Sequence, residues 1–261
     1  MKLGDREIHV WLAFDADFIG SAWLDERSAD LEPHEHAIAA RRLEKLRPQY
    51  RLTRALQRAV LSLYAPQVAP AQWRFKTDEG AGAKPELAPQ FAALDLHFNL
   101  SHTAGLVAMA VGRQSTLGLD AESLAVARTP LDIANRFFTS AELAELAALP
   151  AAEHARRFYS LWTLKEAWLK ATGEGITADL FGVWFEFDDA AHARAFQMSK
   201  DDARQWSFWQ GSPDGEHRLA LALRGTAEVS VFRCRPGRML EWHPQPTLRR
   251  VGSDQEQRPQ A

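Results

Sequence analysis

LDLHFNLSHTAGLVAMAVGRQSTLGLDAE, residues 94–122, is the stretch on which the fold turns. Glycine-bearing turns at Thr103–Gly105 and Gly112–Gln114 divide it into three short runs of strand character, which predicts a meander of antiparallel strands. Side chains alternate along a strand, so in the last run Gly118, Asp120 and Glu122 share one face while Leu117, Leu119 and Ala121 share the other. The two carboxylates then stand roughly 6.6 Å apart along the strand by its rise per residue.

Downstream, FYSLWTLKEAWLK at 158–170 reads as a helix. At 100° per residue Phe158, Leu161, Trp162, Leu164, Trp168 and Leu169 fall on one apolar arc. Lys165 projects into that arc and requires an anionic partner there. Glu166 and Lys170 stand one turn apart at its rim, with Gly173 and Gly175 ending the helix. Before it, Pro130 opens an LDIANRFF helix, and Thr139 or Ser140 caps the next, with Glu142 in its first turn.

Upstream, Ile8–Phe14 alternates as a first strand. A polar segment from Pro33 becomes helical through Leu46, where Pro48 ends it. Residues 50–65 carry a core stripe of Leu52, Ala55, Leu56, Ala59, Val60 and Leu63, flanked by Arg51, Arg54 and Arg58. Trp73–Thr77 reads as a short strand, followed by a turn that delivers Lys84-Pro85. Strand-like runs at 180–187, 205–210, 217–223 and 228–233 predict a second antiparallel sheet. After residue 244 the composition turns to Pro, Gln, Arg and Ser, which predicts a frayed tail. Helices and a meander thus occur twice. The fold class is α+β, two pseudo-symmetric α+β subdomains with antiparallel sheets and the active site in the cleft between them. The divisions are 1–115, 116–243 and a tail at 244–261.

The 261 residues suffice for one large domain or two small ones with cores. Their 31 basic and 34 acidic side chains give a formal charge of −3, which argues against bulk attraction to nucleic acid. One cysteine, Cys234, precludes an intrachain disulfide and points to a reducing, cytoplasmic location. Neither a signal peptide nor a membrane span is predicted.

Asp120 and Glu122 offer oxygen ligands from one strand and Glu166 offers a third from a helix, a set suited to a hard cation such as Mg²⁺, with Mn²⁺ also compatible. Mg²⁺ held by a few carboxylates completes its shell with water and substrate phosphates, so the expected ligand is a phosphate or diphosphate compound. Lys165, Lys170, His102, Lys84 and Arg51, Arg54 and Arg58 are candidate neutralisers. Ser101 and His102 are neighbours on a strand and face opposite ways, which disfavours a nucleophile–base pair. His34 and His36 lack further zinc ligands, and no GxxxxGK[ST] or GxGxxG loop occurs.

FNLSHT at 98–103, LGLDAE at 117–122 and FYSLWTLKEAWLKATGEGI at 158–176 together, in this order and spacing, resemble the Sfp-type 4'-phosphopantetheinyl transferases. The resemblance covers residues 8–235. It implies a monomer that binds coenzyme A and Mg²⁺ between two halves. Such an enzyme moves phosphopantetheine onto a serine of an apo acyl or peptidyl carrier protein and releases adenosine 3',5'-bisphosphate. By motif, Asp120, Glu122 and Glu166 resemble the metal ligands, Ser101, His102 and Lys84 the coenzyme A contacts, and Lys170 the lysine near the diphosphate. The base implied is Glu166 or a metal-held water. The segment Leu124–Phe138, with Leu124, Phe137, Phe138, Arg128 and Arg136, matches the carrier-docking region. Ala121 stands where a larger β-branched residue is commoner. A Mg²⁺-dependent hydrolase of nucleotide diphosphates would use the same carboxylates, and a non-catalytic carrier-binding homologue would not need them all.

Overall fold

The computed structural model describes residues 1–76, 85–125, 134–173, 180–189, 191–199, 201–246 and 248–253. The predicted turn at Thr103–Gly105 is present, and joins β2 (His97–Thr103) to β3 (Leu106–Gly112) in an antiparallel pair. Gly105 takes φ +87°, a left-handed conformation that a glycine adopts without a Cβ penalty. The next strand departs from the meander: β4 (Leu117–Ser123) pairs not with β3 but with β8 (His217–Arg224). The run after Gly112 therefore carries the chain from one sheet to another.

Two sheets result. The first has the order β10–β9–β1–β3–β2, with β1 at Glu7–Phe14, β9 at Glu228–Pro236 and β10 at Leu240–Gln245. The second has the order β4–β8–β7–β11–β6–β5, with β5 at Val183–Phe187, β6 at Ala193–Met198, β7 at Trp206–Gly211 and β11 at Arg249–Ser253. Six helices accompany them among the described residues: α1 (Asp15–Phe18), α2 (Ala22–Ser28), α3 (Pro33–Arg41), α4 (Arg47–Tyr64), α5 (Ser140–Ala148) and α6 (Ala151–Thr172). The chain is α+β, with two sheets each faced by its own helices.

The alternation along β1 builds the layers. Ile8, Val10, Leu12 and Phe14 meet Leu117, Leu119 and Ala121 of β4 and Leu219, Leu221 and Leu223 of β8 in a core between the sheets. Trp11 and Ala13 point the other way, against Leu52, Ala55, Leu56 and Val60 of α4. On the far side α6 lays Phe158, Leu161, Leu164 and Trp168 over Ala220 and Ala222 of β8 and Phe208 of β7. The order through the molecule is helix, sheet, sheet, helix, as expected when each amphipathic element must cover an apolar face.

Asn99, Ser101 and Thr103 of β2 fasten the two sheets. β4 is an edge strand, and its outward N–H groups need acceptors. Asn99 Oδ1 accepts from Leu119 N (2.8 Å), Ser101 Oγ from Ala121 N (3.1 Å) and Thr103 Oγ1 from Ser123 N (3.1 Å). Side chains at every second position thus replace the carbonyls of a missing neighbouring strand.

Several local expectations are corrected. Pro48 does not end the preceding helix; α3 stops at Arg41 and Pro48 lies in the first turn of α4, where its missing N–H costs nothing. Of the expected strand at Trp73–Thr77, the described residues 73–76 contribute one bridge, Phe75 with Leu87, and Thr77 lies outside the described residues. β9 and β10 follow the second half in the chain but pair in the first sheet, β9 running parallel to β1. β11 overturns the frayed tail as far as Ser253: it sits between β6 and β7, with Val251 2% exposed. Among the described residues no helix is long and apolar enough to cross a membrane.

Candidate active site

Asp120 and Glu122 project from β4 toward α6, as their alternation with the buried Leu119 and Ala121 requires. The helix comes very close at Gly118, where a Cβ would lie 2.0 Å from the carbonyl oxygen of Ala167 and 2.5 Å from the nitrogen of Ala171. This approach brings Glu166 and Lys170, one turn apart, against the strand's carboxylates. Lys170 Nζ lies 2.6 Å from Asp120 Oδ1 and 3.0 Å from Ser101 Oγ, and that hydroxyl donates to the same Asp120 oxygen at 2.9 Å. Thr103 Oγ1 lies 3.4 Å from Glu122 Oε2.

Two carboxylate oxygens are left over. Asp120 Oδ2 and Glu166 Oε1 are buried and have no hydrogen-bond partner among the described residues. Such atoms cost free energy in a folded protein unless something binds them. Burial first, and then the neighbouring Asp120, push the Glu166 carboxyl up to about 7 against the pull of Lys170, with Glu122 adding to the rise. Crowded carboxylates with orphaned oxygens are of the chemical type that a hard cation accepts as ligands. Among the described residues no three metal-binding side chains are already gathered as one coordination sphere.

A cationic rim adjoins them. His102, on the face of β2 opposite Ser101, is open to solvent at its edge, yet its pKa is lowered by desolvation and then by Lys170, Arg42 and Arg54. Arg42 and Arg54 both lie over the ring of Tyr50, at 4.7 and 5.4 Å from its centroid. Arg54 is held further by Glu35 (3.6 Å) and Gln57 (3.1 Å). Positive charge is thus concentrated beside the carboxylates.

The sequence model of the 4'-phosphopantetheinyl transferase superfamily matches residues 116–222, which take in β4 and α6 and end within β8. The chain is 32% identical over 227 residues to the 4'-phosphopantetheinyl transferase HetI of Nostoc sp., covering 86% of this chain and 91% of that one. The chain belongs to the 4'-phosphopantetheinyl transferase superfamily. The transferase Sfp of Bacillus subtilis is 36% identical over 108 residues, 41% of this chain and 44% of its own, and psf-1 of Bacillus pumilus is 41% identical over 86 residues, 32% and 35%.

In this transferase the structure sorts the predicted residues. Asp120, Glu122, Glu166, Lys170, Ser101, His102 and Arg54 occupy one region. Ser101 is buried and committed to Asp120, Lys170 and Ala121 N, so it positions the carboxylate instead of meeting a ligand. Lys165 is corrected: at 0% exposure its ammonium lies 2.9 Å from Glu142 Oε2 and donates to the carbonyls of Leu180 and Val183. It has the anionic partner its place on the apolar arc requires, and cannot neutralise a substrate. Arg58 is corrected likewise, with 0% exposure and a bond to Glu35 Oε2 at 2.6 Å. Arg51 is exposed and enters none of the ring contacts or ion pairs that order the cationic rim.

Lys84 and Arg128 lie outside the described residues, as does most of the Leu124–Phe138 segment. Of its apolar anchors, Phe138 is 1% exposed against Phe158 and belongs to the core, whereas Phe137 is half-buried against Trp162. Sequence reasoning missed Arg42, because no periodic pattern ties residue 42 to the helix beginning at Arg47. It also missed the fastening role of Asn99 and Thr103, which the every-second-residue N-x-S-x-T spacing would have indicated.

Proposed function

We propose that this transferase moves the 4'-phosphopantetheine moiety of coenzyme A to a serine of an apo acyl or peptidyl carrier protein, in a Mg²⁺-dependent reaction that releases adenosine 3',5'-bisphosphate. The observation that carries the reading is the pair of orphaned buried oxygens, Asp120 Oδ2 and Glu166 Oε1, beside Lys170. Asp120, Glu166 and Glu122 would hold the cation, which supplies positive charge to the diphosphate. The remaining roles belong to the chain's own groups. Lys170, His102, Arg42 and Arg54 bind and orient the phosphates and offset the charge that grows on the departing one. Ser101 and Lys170 fix Asp120 by one oxygen, which leaves its second oxygen directed elsewhere. Glu166, whose carboxyl is raised to about 7, is our candidate to accept the serine proton, a cation-held water being the alternative.

Intact-mass analysis of a panel of apo carrier proteins, incubated with coenzyme A and Mg²⁺, tests the reading. An increase of one phosphopantetheinyl group is expected, with none when the carrier is omitted and coenzyme A left intact. Asp120→Ala should abolish turnover and the Mg²⁺ dependence of coenzyme A binding, whereas His102→Ala should weaken binding while keeping that dependence. Consumption of coenzyme A without any carrier would identify a hydrolase instead.

A further inference from the structure

The turn at Ala104–Gly105, which follows Ser101, His102 and Thr103 of β2, is gripped by three segments distant from it in the chain. Gln49 of α4 donates through Nε2 to Thr103 O at 2.6 Å and to Asp15 Oδ2 at 2.8 Å. Asp15 of α1 accepts from Gly105 N through that same oxygen at 3.3 Å, and its own N–H donates to Gly105 O at 3.0 Å. His217 of β8 reaches Ala104 O with Nε2 at 2.8 Å, across the boundary between the two sheets. The shape of the turn explains the need. A two-residue hairpin loop follows the right-handed twist of its strands when its first residue has positive φ. Among the described non-glycine residues only Asp95 has one, so Ala104 does not, and the strands it joins would splay unless held.

His217 is the tie between the halves. It is 5% exposed, and its other ring nitrogen, Nδ1, lies 2.7 Å from Asp214 Oδ2. A carbonyl and a carboxylate are both acceptors, so in this arrangement both ring nitrogens donate and Asp214 balances the charge of the ring. Asp214 is fixed in turn, its Oδ1 accepting from the N–H groups of Glu216 and His217 at 2.9 and 3.0 Å. Gly105 leaves the ring its room, since a Cβ there would lie 3.3 Å from Nε2. In the β4–β8 ladder His217 is paired with Ser123, whose N–H donates to Thr103 Oγ1 at 3.1 Å. The path Thr103–Ser123–His217–Ala104 therefore closes on itself and fixes the end of β2 against the second sheet. His102 immediately precedes this closed path and belongs to the cationic rim.

We propose that His217, held by Asp214, is a positioning residue for the transfer: it fixes the end of β2 and so sets where His102 meets the phosphates of coenzyme A. This inference rests on the transfer reaction proposed above. His217 touches no substrate in this role, because its ring lies between the sheets beside Phe14, with the ring centroids 6.1 Å apart.

The test compares His217→Leu, His217→Gln and Gln49→Met with the wild-type chain in coenzyme A affinity by calorimetry, in carrier KM and in melting temperature. His217→Leu should weaken coenzyme A binding about 10-fold, the lower end of what a charge-assisted bond is worth, and leave carrier KM unchanged. Glutamine carries an amide nitrogen as many bonds from the backbone as Nε2, so His217→Gln should recover most of that affinity. It lacks the charge that pairs with Asp214 and should still melt below wild type. Gln49→Met frees Thr103 O while keeping His217 and Asp214 paired, and should weaken coenzyme A binding by a smaller factor even if His217→Leu fails to fold. The double variant His102→Ala, His217→Leu should bind coenzyme A no more weakly than His102→Ala, because the tie acts through that ring. Wild-type affinity in His217→Leu or Gln49→Met, no recovery in His217→Gln, or additive losses in the double variant overturns the proposal. A wild-type chain that neither binds coenzyme A nor modifies a carrier overturns the transfer reading itself.

Discussion

Gly118→Ala tests the contact on which the site is built. The added methyl would lie 2.0 Å from the carbonyl oxygen of Ala167 and 2.5 Å from the nitrogen of Ala171, about 1.4 Å short of ordinary contact at 3.4 Å for the first. Both obstructing atoms are backbone atoms of α6, so no rotamer change relieves the overlap. The helix must separate from β4 by an amount of that order. Overpacking of this kind costs about 3 kcal/mol at the upper end of its usual range, which for a chain of this size lowers the melting temperature by about 6–12 °C. Lys170 would then draw away from Asp120, from which it is 2.6 Å distant, and Glu166 with it. Misplacement by about 1 Å costs on the order of 100-fold in rate. Single-turnover transfer to an apo carrier, read by intact mass and paired with calorimetric melting, measures both losses. Ala167→Gly should rescue neither, because the clash is with backbone. Wild-type turnover and stability in Gly118→Ala, or rescue by Ala167→Gly, would refute the reasoning.

Further outcomes follow from the buried charges and the last strand. Lys165→Met and Glu142→Gln should each destabilise the chain by about 3–5 kcal/mol, while the double variant should lose less than the sum, since removing one partner strands the other; urea titration of the four proteins measures this. Arg58→Ala should cost a similar amount, about 3–5 kcal/mol, by stranding Glu35, yet leave coenzyme A affinity of the folded fraction unchanged by calorimetry, opposite to the behaviour of a phosphate ligand. A chain ending at Gln245 loses β11 with its buried Val251 and Leu248, and should melt at a lower temperature than the full chain.

The face of β4 that carries Asp120 and Glu122, the apolar arc of α6 and the need of Lys165 for a partner were all legible in the sequence, because each follows from the period of a single element. The spacing of the motifs likewise identified the family. What the sequence left open concerned pairing between distant segments. Arg51, Arg54 and Arg58 are equivalent to a reader of helical flanks, yet Arg58 turns into the interior against Glu35 while Arg54 joins Arg42 over Tyr50.

By itself, then, the order of residues determined which groups share a face and which chemistry those groups permit, since local geometry repeats every two or 3.6 residues. Tertiary structure decided which faces meet. It set β4 at the edge of a second sheet, fastened by Asn99, Ser101 and Thr103, and drew Arg249–Ser253 between β6 and β7 despite its polar composition. Such contacts join residues from 20 to more than 50 positions apart, beyond the reach of any local period, and packing of whole layers fixes them.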